Sequence, residues 1–321
     1  MNKLVQWQET YKILRSQTSA WSRSADVLMS QSLLLVANDA TDRCDELLGY
    51  WERCDASASL WSGLRGELFN AVGVLAMIAG IEPEEIVRRT ESHRESLAAA
   101  GLTGFFTAPS LYTKGTALFM ALHTDDPSDL MSKMNVIMDG WKKDHPVVTG
   151  NNDLFYGLLH AMQDTDPTVQ VKLTEDCFQA LKRGGYIGWG PWADELQASA
   201  QVVALWPQVD VDALEERFSL LIKLLKTEFS FFAPNLRPAA ALLAASGLPI
   251  EETVSQAIQY YKSMDAGGRE NRLILAINLV LLEHFENDQQ LNKRLIAIVV
   301  GLVYAQEIAV ATAAAAAVAA T

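Results

Sequence analysis

Three aspartates within ALHTDDPSDLMSKM, residues 121–134, have the Asp-Asp-x-x-Asp spacing with which some enzymes hold magnesium against a diphosphate. The same residues also fit the start of a helix. Asp126 would accept hydrogen bonds as the N-cap, Pro127 would fill the first helical position, and Asp129 would favour the positive end of the helix dipole. A metal motif of this kind lies inside a helix, where Pro127 is disfavoured. We therefore predict that these aspartates cap a helix, and we predict no metal site.

The sequence motifs of other catalytic sites are absent from the chain. There is no G-x-S-x-G nucleophile elbow, no H-E-x-x-H zinc motif and no Walker loop, and GGYIGWG at residues 184–190 follows no predicted strand and is interpreted as a loop. His123, His160 and His284 fall at the ends of apolar helices, where we interpret them as cations that favour the helix dipole and not as metal ligands. We predict no cofactor.

The charge and the cysteines exclude several classes of protein. A formal charge of −13 at pH 7, with no run of lysine or arginine, makes binding to nucleic acid unfavourable. The three cysteines, Cys44, Cys54 and Cys177, have no zinc spacing, which indicates reduced thiols and a cytoplasmic protein. Structural zinc is therefore not expected.

Neither end of the chain has the composition expected of a targeting signal or a membrane segment. The N-terminal MNKLVQWQETYKILRSQ is amphipathic and lacks the continuous apolar stretch of a secretory signal. The apolar tail, residues 294–321, is interrupted by Gln306 and Glu307, and its second half is alanine, which gains little free energy in a bilayer. We predict that the tail is a helix packed closely against its neighbours and not a membrane anchor.

Hydrophobic periodicity indicates which elements must position any site. Apolar residues recur at spacings of three and four along almost the whole chain, which predicts an all-α protein. A unit of about 40 residues recurs, with a polar-capped first helix, a turn, and a more apolar second helix. We predict one domain, with N-terminal helices in residues 1–39, about six antiparallel hairpins in residues 40–284 and an alanine-rich C-terminal helix in residues 285–321.

Helical hairpins of this kind stack side by side, because a single hairpin cannot bury its own apolar faces. The more apolar second helices are expected on the inside of the assembly, where neighbours cover them on several faces. Two assemblies meet these conditions, an α/α toroid and a strongly curved superhelix. The number of hairpins favours the toroid, and both remain open at this point.

Three segments carry a resemblance to a known family: WKKDHPVVTGNNDLFYGLLHAM at residues 141–162, ALKRGGYIGWGPW at residues 180–192 and YAQEIAVATAAAAAVAAT at residues 304–321. In these segments the chain resembles the uncharacterised family of Bacillus-type bacterial proteins catalogued as domain of unknown function 4003. The resemblance implies a cytoplasmic bacterial protein with one helical domain. It implies no activity and no catalytic residues, so the functional prediction rests on the side chains themselves.

The starts of the apolar second helices carry cations, which the positive end of a helix dipole disfavours by about 0.3 to 1 kcal/mol each. In the predicted assembly these helix starts lie together, and we call them the N-terminal rim. Either the cations pair with neighbouring acids, or they bind an anion together with free N–H groups. The predicted ligand-binding residues of the N-terminal rim are Arg65, Glu67, Tyr112, Lys114, Asn152, Trp189, Trp192, Arg237, Arg269 and Arg272.

Three functions follow from this interpretation. The first is a binding module that holds an anionic small molecule or a peptide at the N-terminal rim. The second is a cyclase-like or hydrolase-like enzyme on an α/α toroid, with Asp153, Asp194 and Glu195 as acid/base candidates, because a carboxyl group among aromatic side chains has a raised pKa. The third is a scaffold that binds another protein along an open groove.

Overall fold

The computed structural model describes residues 2–18, 25–58, 67–102, 111–146, 149–150, 153–185, 192–229, 237–265, 267–288, 291 and 295–299. Within these ranges the regular structure is helical and no strand occurs. The prediction of an all-α protein is confirmed.

The helices alternate between partly exposed and almost fully buried. The odd-numbered helices, which are partly exposed, are α1 (Lys3–Gln17), α3 (Cys44–Ser57), α5 (Pro83–Ala99), α7 (Ser128–Asp144), α9 (Pro167–Arg183), α11 (Val211–Glu228) and α13 (Ile250–Ser263). The even-numbered helices are α2 (Ala25–Ala37), α4 (Glu67–Ile78), α6 (Leu111–His123), α8 (Leu154–Ala161), α10 (Trp192–Ala204), α12 (Arg237–Ala245) and α14 (Arg269–His284).

The burial of each helix follows from its sequence. In α13, Val254, Ala257 and Ile258 are buried at helical spacing, whereas Glu251 and Gln259 are exposed. In α8 every residue is buried, because the helix is apolar around its whole circumference and has neighbours on several sides. The even-numbered helices therefore form the core, and the odd-numbered helices cover it.

Helices that lie side by side in the core occur in the same order along the chain. Each even-numbered helix contacts the next even-numbered helix, and α14 contacts both α2 and α1. Among the odd-numbered helices α1 contacts α3, α3 contacts α5, and α7, α9, α11 and α13 contact one another in succession. The N-terminal helices α1 and α2 also contact each other as a pair of their own, in addition to the pairs expected in residues 40–284.

The start of α1 joins the first and last helix pairs. The ammonium of Lys3 is 3.1 Å from a carboxylate oxygen of Asp39, just after α2, and 3.1 Å from one of Glu286, just after α14. Its side chain is only 4% exposed. Nearby, the amide of Asn2 donates to the hydroxyl of Tyr260 on α13 at 3.0 Å. Lys3 thus lies at the negative ends of two helices and binds an acid at each.

We expect Lys3→Gln to lower the free energy of unfolding by about 1 to 3 kcal/mol, because it removes a buried charge that has two partners. Lys172→Gln is the matched control. Lys172 is 75% exposed and pairs with Asp176 one turn along the same helix, so its loss should change the free energy by less than about 0.5 kcal/mol. Urea unfolding of both variants measures the difference. Equal effects would show that Lys3 does not hold the two helix pairs together.

The predicted capping aspartates occupy the start of α7. The carboxylate of Asp126 accepts hydrogen bonds from the Ser128 backbone N–H at 3.0 Å and the Ser128 hydroxyl at 2.6 Å. Asp125 pairs with Arg89 at 2.6 Å and Asp129 pairs with Lys133 at 2.7 Å. Asp126 accepts from the first residue of α7, but Pro127 takes the N-cap position that was predicted for Asp126. Each aspartate has a partner within the protein. Among the described residues there is no group of three or more His, Cys, Asp or Glu side chains that could hold a metal ion.

The alanine-rich tail lies mostly outside the described residues. The part that is described, residues 295–299, is helical, and Leu295, Ile298 and Val299 are buried. None of the described helices is both long enough and apolar enough to cross a membrane.

Candidate functional site

Three adjacent core helices bring the sequence-predicted acids and Tyr112 to one end of the protein. Tyr112 and Lys114 lie in the first turn of α6, Asp153 immediately precedes α8, and Asp194 and Glu195 lie in the first turn of α10. Because α6 contacts α8 and α8 contacts α10, these helix starts are neighbours. Two of the predicted ligand-binding residues and the three acid/base candidates therefore lie at neighbouring helix starts.

Asp153 is the most deeply buried of these acids. Its side chain is 2% exposed, and its two oxygens accept hydrogen bonds of 2.8 Å from the backbone N–H of Gly150 and from the side-chain amide of Gln201. Burial raises the pKa of Asp153 to about 6, although these two hydrogen bonds oppose the rise. The nearby charge of Asp194 raises it further. A carboxyl group in this environment exchanges its proton close to neutral pH.

Two tyrosines and a second aspartate share this environment. Burial raises the pKa of Tyr112, and the charges of Asp153 and Asp194 raise it further. Burial also raises the pKa of Tyr156, one turn into α8, and again Asp153 contributes. The pKa of the exposed Asp194 is raised by partial loss of solvent. These groups influence one another electrostatically and so form one site.

Two glutamines of α10 complete the site. The side-chain amide of Gln197 donates to the Thr149 hydroxyl at 2.9 Å, and that of Gln201 donates to Asp153. Both residues are at most 1% exposed. Within the described part of the chain, the side-chain carbonyl oxygen of each has no hydrogen-bond partner. An unpaired buried carbonyl is costly, so each of these oxygens could accept a further hydrogen bond from a group outside the described residues.

We call this set of side chains the rim cluster: Tyr112, Asp153, Tyr156, Asp194, Gln197 and Gln201. Tyr156 and the two glutamines were not predicted from the sequence. A signal for the glutamines was present, because Asp194, Gln197 and Gln201 recur at spacings of three and four along α10. Such a polar stripe on a buried helix must face polar partners.

Lys114 carries a positive charge in the first turn of α6, two residues after Tyr112. It is half buried, and burial lowers the pKa of its ammonium. The positive charge of Arg94, on α5, lowers that pKa further. Lys114 forms no ion pair with the described part of the chain. The half-buried ammonium of Lys114 would attract an anion.

The cations of α12 and α14 behave differently. The guanidinium of Arg272 donates to the Met264 carbonyl at 2.9 Å and lies 4.7 Å from the centre of the Tyr261 ring. Both partners belong to the end of α13. The negative end of α13 therefore lies beside this cation and offsets the positive end of the α14 dipole. Arg237 is half buried and Arg269 is exposed.

The remaining predicted residues cannot be placed in the site. Arg65, Asn152 and Trp189 lie outside the described residues. Glu67 and Trp192 are the first residues of α4 and α10, and their side chains lie outside the described part of the structure.

The interpretation of His160 as a cation at a helix end is wrong. His160 is 1% exposed, and its ring nitrogens lie 2.9 Å from the Gln201 backbone carbonyl and 2.8 Å from the Gln170 side chain. Burial lowers the pKa of His160 to about 4, although both hydrogen bonds oppose this, so the ring is neutral at pH 7. His160 therefore joins α8 to α9 and α10 and does not act through the helix dipole.

The chemistry open to the rim cluster is hydrogen bonding together with proton exchange. Its glutamine oxygens can accept hydrogen bonds, Asp153 has a pKa raised to about 6, and Lys114 supplies positive charge at the same end of α6. This combination suits a polar molecule that carries both hydrogen-bond donors and a negative group.

Comparison with known proteins assigns the chain to a family without assigning an activity. No curated protein and no solved structure matches the chain significantly. The family described as "Protein of unknown function (DUF4003)" matches residues 10–308, which is most of the chain. The chain therefore belongs to the DUF4003 family.

Proposed function

We propose that this protein is a closed ring of helix pairs that binds a small, polar, negatively charged molecule at its N-terminal rim. The ring is supported by the contacts of α14 with α1 and α2, which bring the last helix pair against the first. A closed ring leaves no long open groove, so the same contacts favour a pocket over a protein-binding scaffold.

The observation that carries the binding proposal is the pair of buried glutamine oxygens without a partner among the described residues. In the rim cluster, a ligand hydroxyl or N–H group that donates to Gln197 or Gln201 would replace a hydrogen bond that the protein does not make. Lys114, at the same end of α6, would attract the negative group of the same molecule. The expected ligand therefore combines several hydrogen-bond donors with one carboxylate or phosphate group.

Native mass spectrometry of freshly purified protein tests the proposal. We expect one small molecule to be retained by the wild-type protein, and we expect Lys114→Gln to weaken its retention by about tenfold, since a charge-assisted interaction in a partly buried site is lost. Lys133→Gln is the control, because Lys133 pairs with Asp129 on the surface helix α7, away from the rim cluster. Its retention should match that of wild type.

Gluconate and sorbitol provide a test that does not depend on what the expression host supplies. Both carry many hydroxyl donors, and only gluconate carries a negative charge. We expect gluconate to raise the melting temperature of the wild-type protein more than sorbitol does, and Lys114→Gln to remove this difference. A protein that retains no small molecule and gives the same shift with both probes would contradict the proposal.

An acid/base enzyme is a second candidate, and the raised pKa of Asp153 and of Asp194 favours it. In this alternative the exposed Asp194 contacts the substrate, and buried Asp153 adjusts the charge around it. The retained molecule distinguishes the two functions. Prolonged incubation with fresh protein would convert it to a product of different mass, and Asp194→Asn would stop the conversion while leaving binding intact.

A further inference from the structure

The two carboxyl oxygens of Asp153 have different kinds of hydrogen-bond partner. Oδ2 accepts from the backbone N–H of Gly150, and Oδ1 accepts from the side-chain amide Nε2 of Gln201, both at 2.8 Å. A backbone N–H can only donate, whereas a carboxamide carries a donor and an acceptor on one planar group. The partner of Oδ2 is therefore always a donor, and the partner of Oδ1 can be either.

A proton on Asp153 requires an acceptor that the ionised form does not need. The ionised carboxylate only accepts hydrogen bonds, whereas the protonated carboxyl group also donates one through its O–H. A proton on Oδ2 would place two donors face to face, since the N–H of Gly150 cannot reverse. A proton on Oδ1 would point at the amide of Gln201. Half a turn of that amide would bring its carbonyl oxygen opposite the O–H and keep the hydrogen bond with its direction reversed.

The contacts of Gln201 permit this half turn. Its carbonyl oxygen has no hydrogen-bond partner among the described residues, so the turn breaks only the bond to Asp153 that it then re-forms. The oxygen and the nitrogen of a carboxamide have nearly the same shape, so a fully buried glutamine needs little additional space to exchange them. The number of hydrogen bonds to Asp153 is the same before and after the turn.

Burial and the surrounding charges favour the neutral form of Asp153. Burial raises its pKa to about 6, and the charge of Asp194 on α10 raises it further. Tyr112 on α6 and Tyr156 on α8 are the tyrosines that interact with it electrostatically, and Lys114 lies in the same turn of α6 as Tyr112. Asp153 therefore takes up its proton close to neutral pH.

The other two helices that contact α8 are α7 and α9, and the described side chains that they place against it are neutral. Met138 and Trp141 of α7 lie nearest to Gly157 in α8. Gln170 of α9 lies 2.8 Å from the ring of His160, whose pKa is lowered to about 4 by burial. His160 therefore keeps its neutral state over the pH range in which Asp153 gains its proton.

We propose that Gln201 reverses its side-chain amide when Asp153 takes up a proton, so that the free position of this amide in the rim cluster changes from a hydrogen-bond acceptor to a donor. The consequence for ligands rests on the function proposed above. With Asp153 ionised, the oxygen of Gln201 accepts from a ligand hydroxyl or N–H group. With Asp153 protonated, the NH2 group donates to a ligand carboxylate or phosphate oxygen, and binding of such an oxygen favours proton uptake.

NMR of the protein without ligand tests the reversal, so its failure would leave the proposed binding untouched. In the ionised state the Gln201 amide and the Gly150 N–H donate to the same carboxylate and lie close together. We expect a nuclear Overhauser effect between the Gln201 NH2 and the Gly150 N–H at about pH 7.5, and its loss at about pH 5. The carboxyl carbon of Asp153 should titrate with a midpoint of about 6. Gln201→Leu assigns the NH2 resonance by removing it.

Asp153→Asn fixes one orientation of the Gln201 amide. The oxygen of the asparagine would accept from Gly150, and its NH2 group would donate to the carbonyl oxygen of Gln201, as the protonated carboxyl group does. We therefore expect the Overhauser effect to Gly150 to be absent at both pH values in this variant. If Asp153→Asn does not fold, the loss of the effect in the wild-type protein carries the test alone.

Gln163 is the internal control in the same spectra. Its side-chain amide donates to the Leu159 backbone carbonyl at 2.9 Å, an acceptor that cannot take up a proton in this pH range. Its Overhauser effects should be the same at both pH values. An effect between Gln201 and Gly150 that persists while Asp153 titrates would show that the amide does not turn. A carboxyl group of Asp153 that stays ionised at about pH 5 would equally overturn the proposal.

Discussion

Asp153→Asn and His160→Gln are expected to change the pH dependence of stability in opposite directions, each by about 3 kcal/mol between pH 4 and pH 6.5. The two residues flank the same segment of α10, where Gln201 binds Asp153 through its side chain and His160 through its backbone carbonyl. Burial raises the pKa of Asp153 from 3.8 to about 6 and lowers that of His160 from 6.5 to about 4. The shifts therefore act over nearly the same pH range.

The sign of each change in stability follows from whether the folded protein or the unfolded chain binds the proton. Between about pH 4 and 6 the folded protein keeps a proton on Asp153 that the unfolded chain has lost, so this group stabilises the fold as the pH falls. Over about the same range the unfolded chain protonates His160 while the folded protein leaves it neutral, so that group destabilises the fold as the pH falls. In the wild-type protein the two contributions nearly cancel.

Removing either group exposes the contribution of the other. Relative to wild type, Asp153→Asn should lose stability as the pH is lowered from about 6.5 to 4, because only the His160 contribution remains. His160→Gln should gain stability relative to wild type as the pH is lowered over the same range. Urea unfolding at steps of half a pH unit measures both slopes, and subtraction of the wild-type curve removes the contributions of the other carboxylates.

The double variant Asp153→Asn/His160→Gln is the internal control. It lacks both contributions, so its stability should run parallel to that of wild type at every pH. Any loss of packing lowers the whole curve and leaves its slope unchanged. Single variants whose curves both run parallel to wild type would show that neither buried group is perturbed, and the raised pKa of Asp153 would then no longer support a role in proton exchange.

Gly184→Ala is expected to destabilise the protein by about 3 kcal/mol, the cost of forcing apart closely packed backbone. Gly184 follows α9 with φ −66°, a conformation open to any residue. A Cβ at this position would lie 2.8 Å from the backbone oxygen of Glu215 on α11. Because that atom belongs to a helix backbone, it cannot move aside by a simple rotation, and α9 and α11 would have to separate.

Gly49→Ala is the matched control for Gly184→Ala. Gly49 lies inside α3, and a Cβ there would meet nothing within 4 Å. Alanine should therefore stabilise the protein by about 0.5 to 1 kcal/mol through its higher helix propensity. Thermal and urea unfolding should thus give opposite signs for the two substitutions. A Gly184→Ala variant as stable as wild type would show that the helices of adjacent pairs are less closely packed at this point than the structure indicates.

The candidate site was predictable to the extent that it depends on helix starts. Asp153 and Asp194 were identified because each stands at the start of an apolar helix, and the starts of consecutive hairpin helices lie together. The hydrogen bond from Gln201 to Asp153 spans 48 residues. Which side chain meets a carboxylate across two helices depends on the rotation of each helix about its axis, and periodicity does not fix that rotation to within one side chain.

The sequence by itself determined the helical secondary structure and where some of its helices begin. Apolar spacing predicted an all-α protein, and the Asp-Pro sequence at residues 126–127 predicted the start of α7 to within one residue, because both depend on residues within a few positions of each other. Only the tertiary structure decided which charges are neutral or paired. Arg272 binds the end of α13, His160 is neutral in the core, and Lys3 joins α2 to the segment after α14. The physical reason is that solvation and the field of neighbouring helix ends act through space, between residues that lie far apart in the chain.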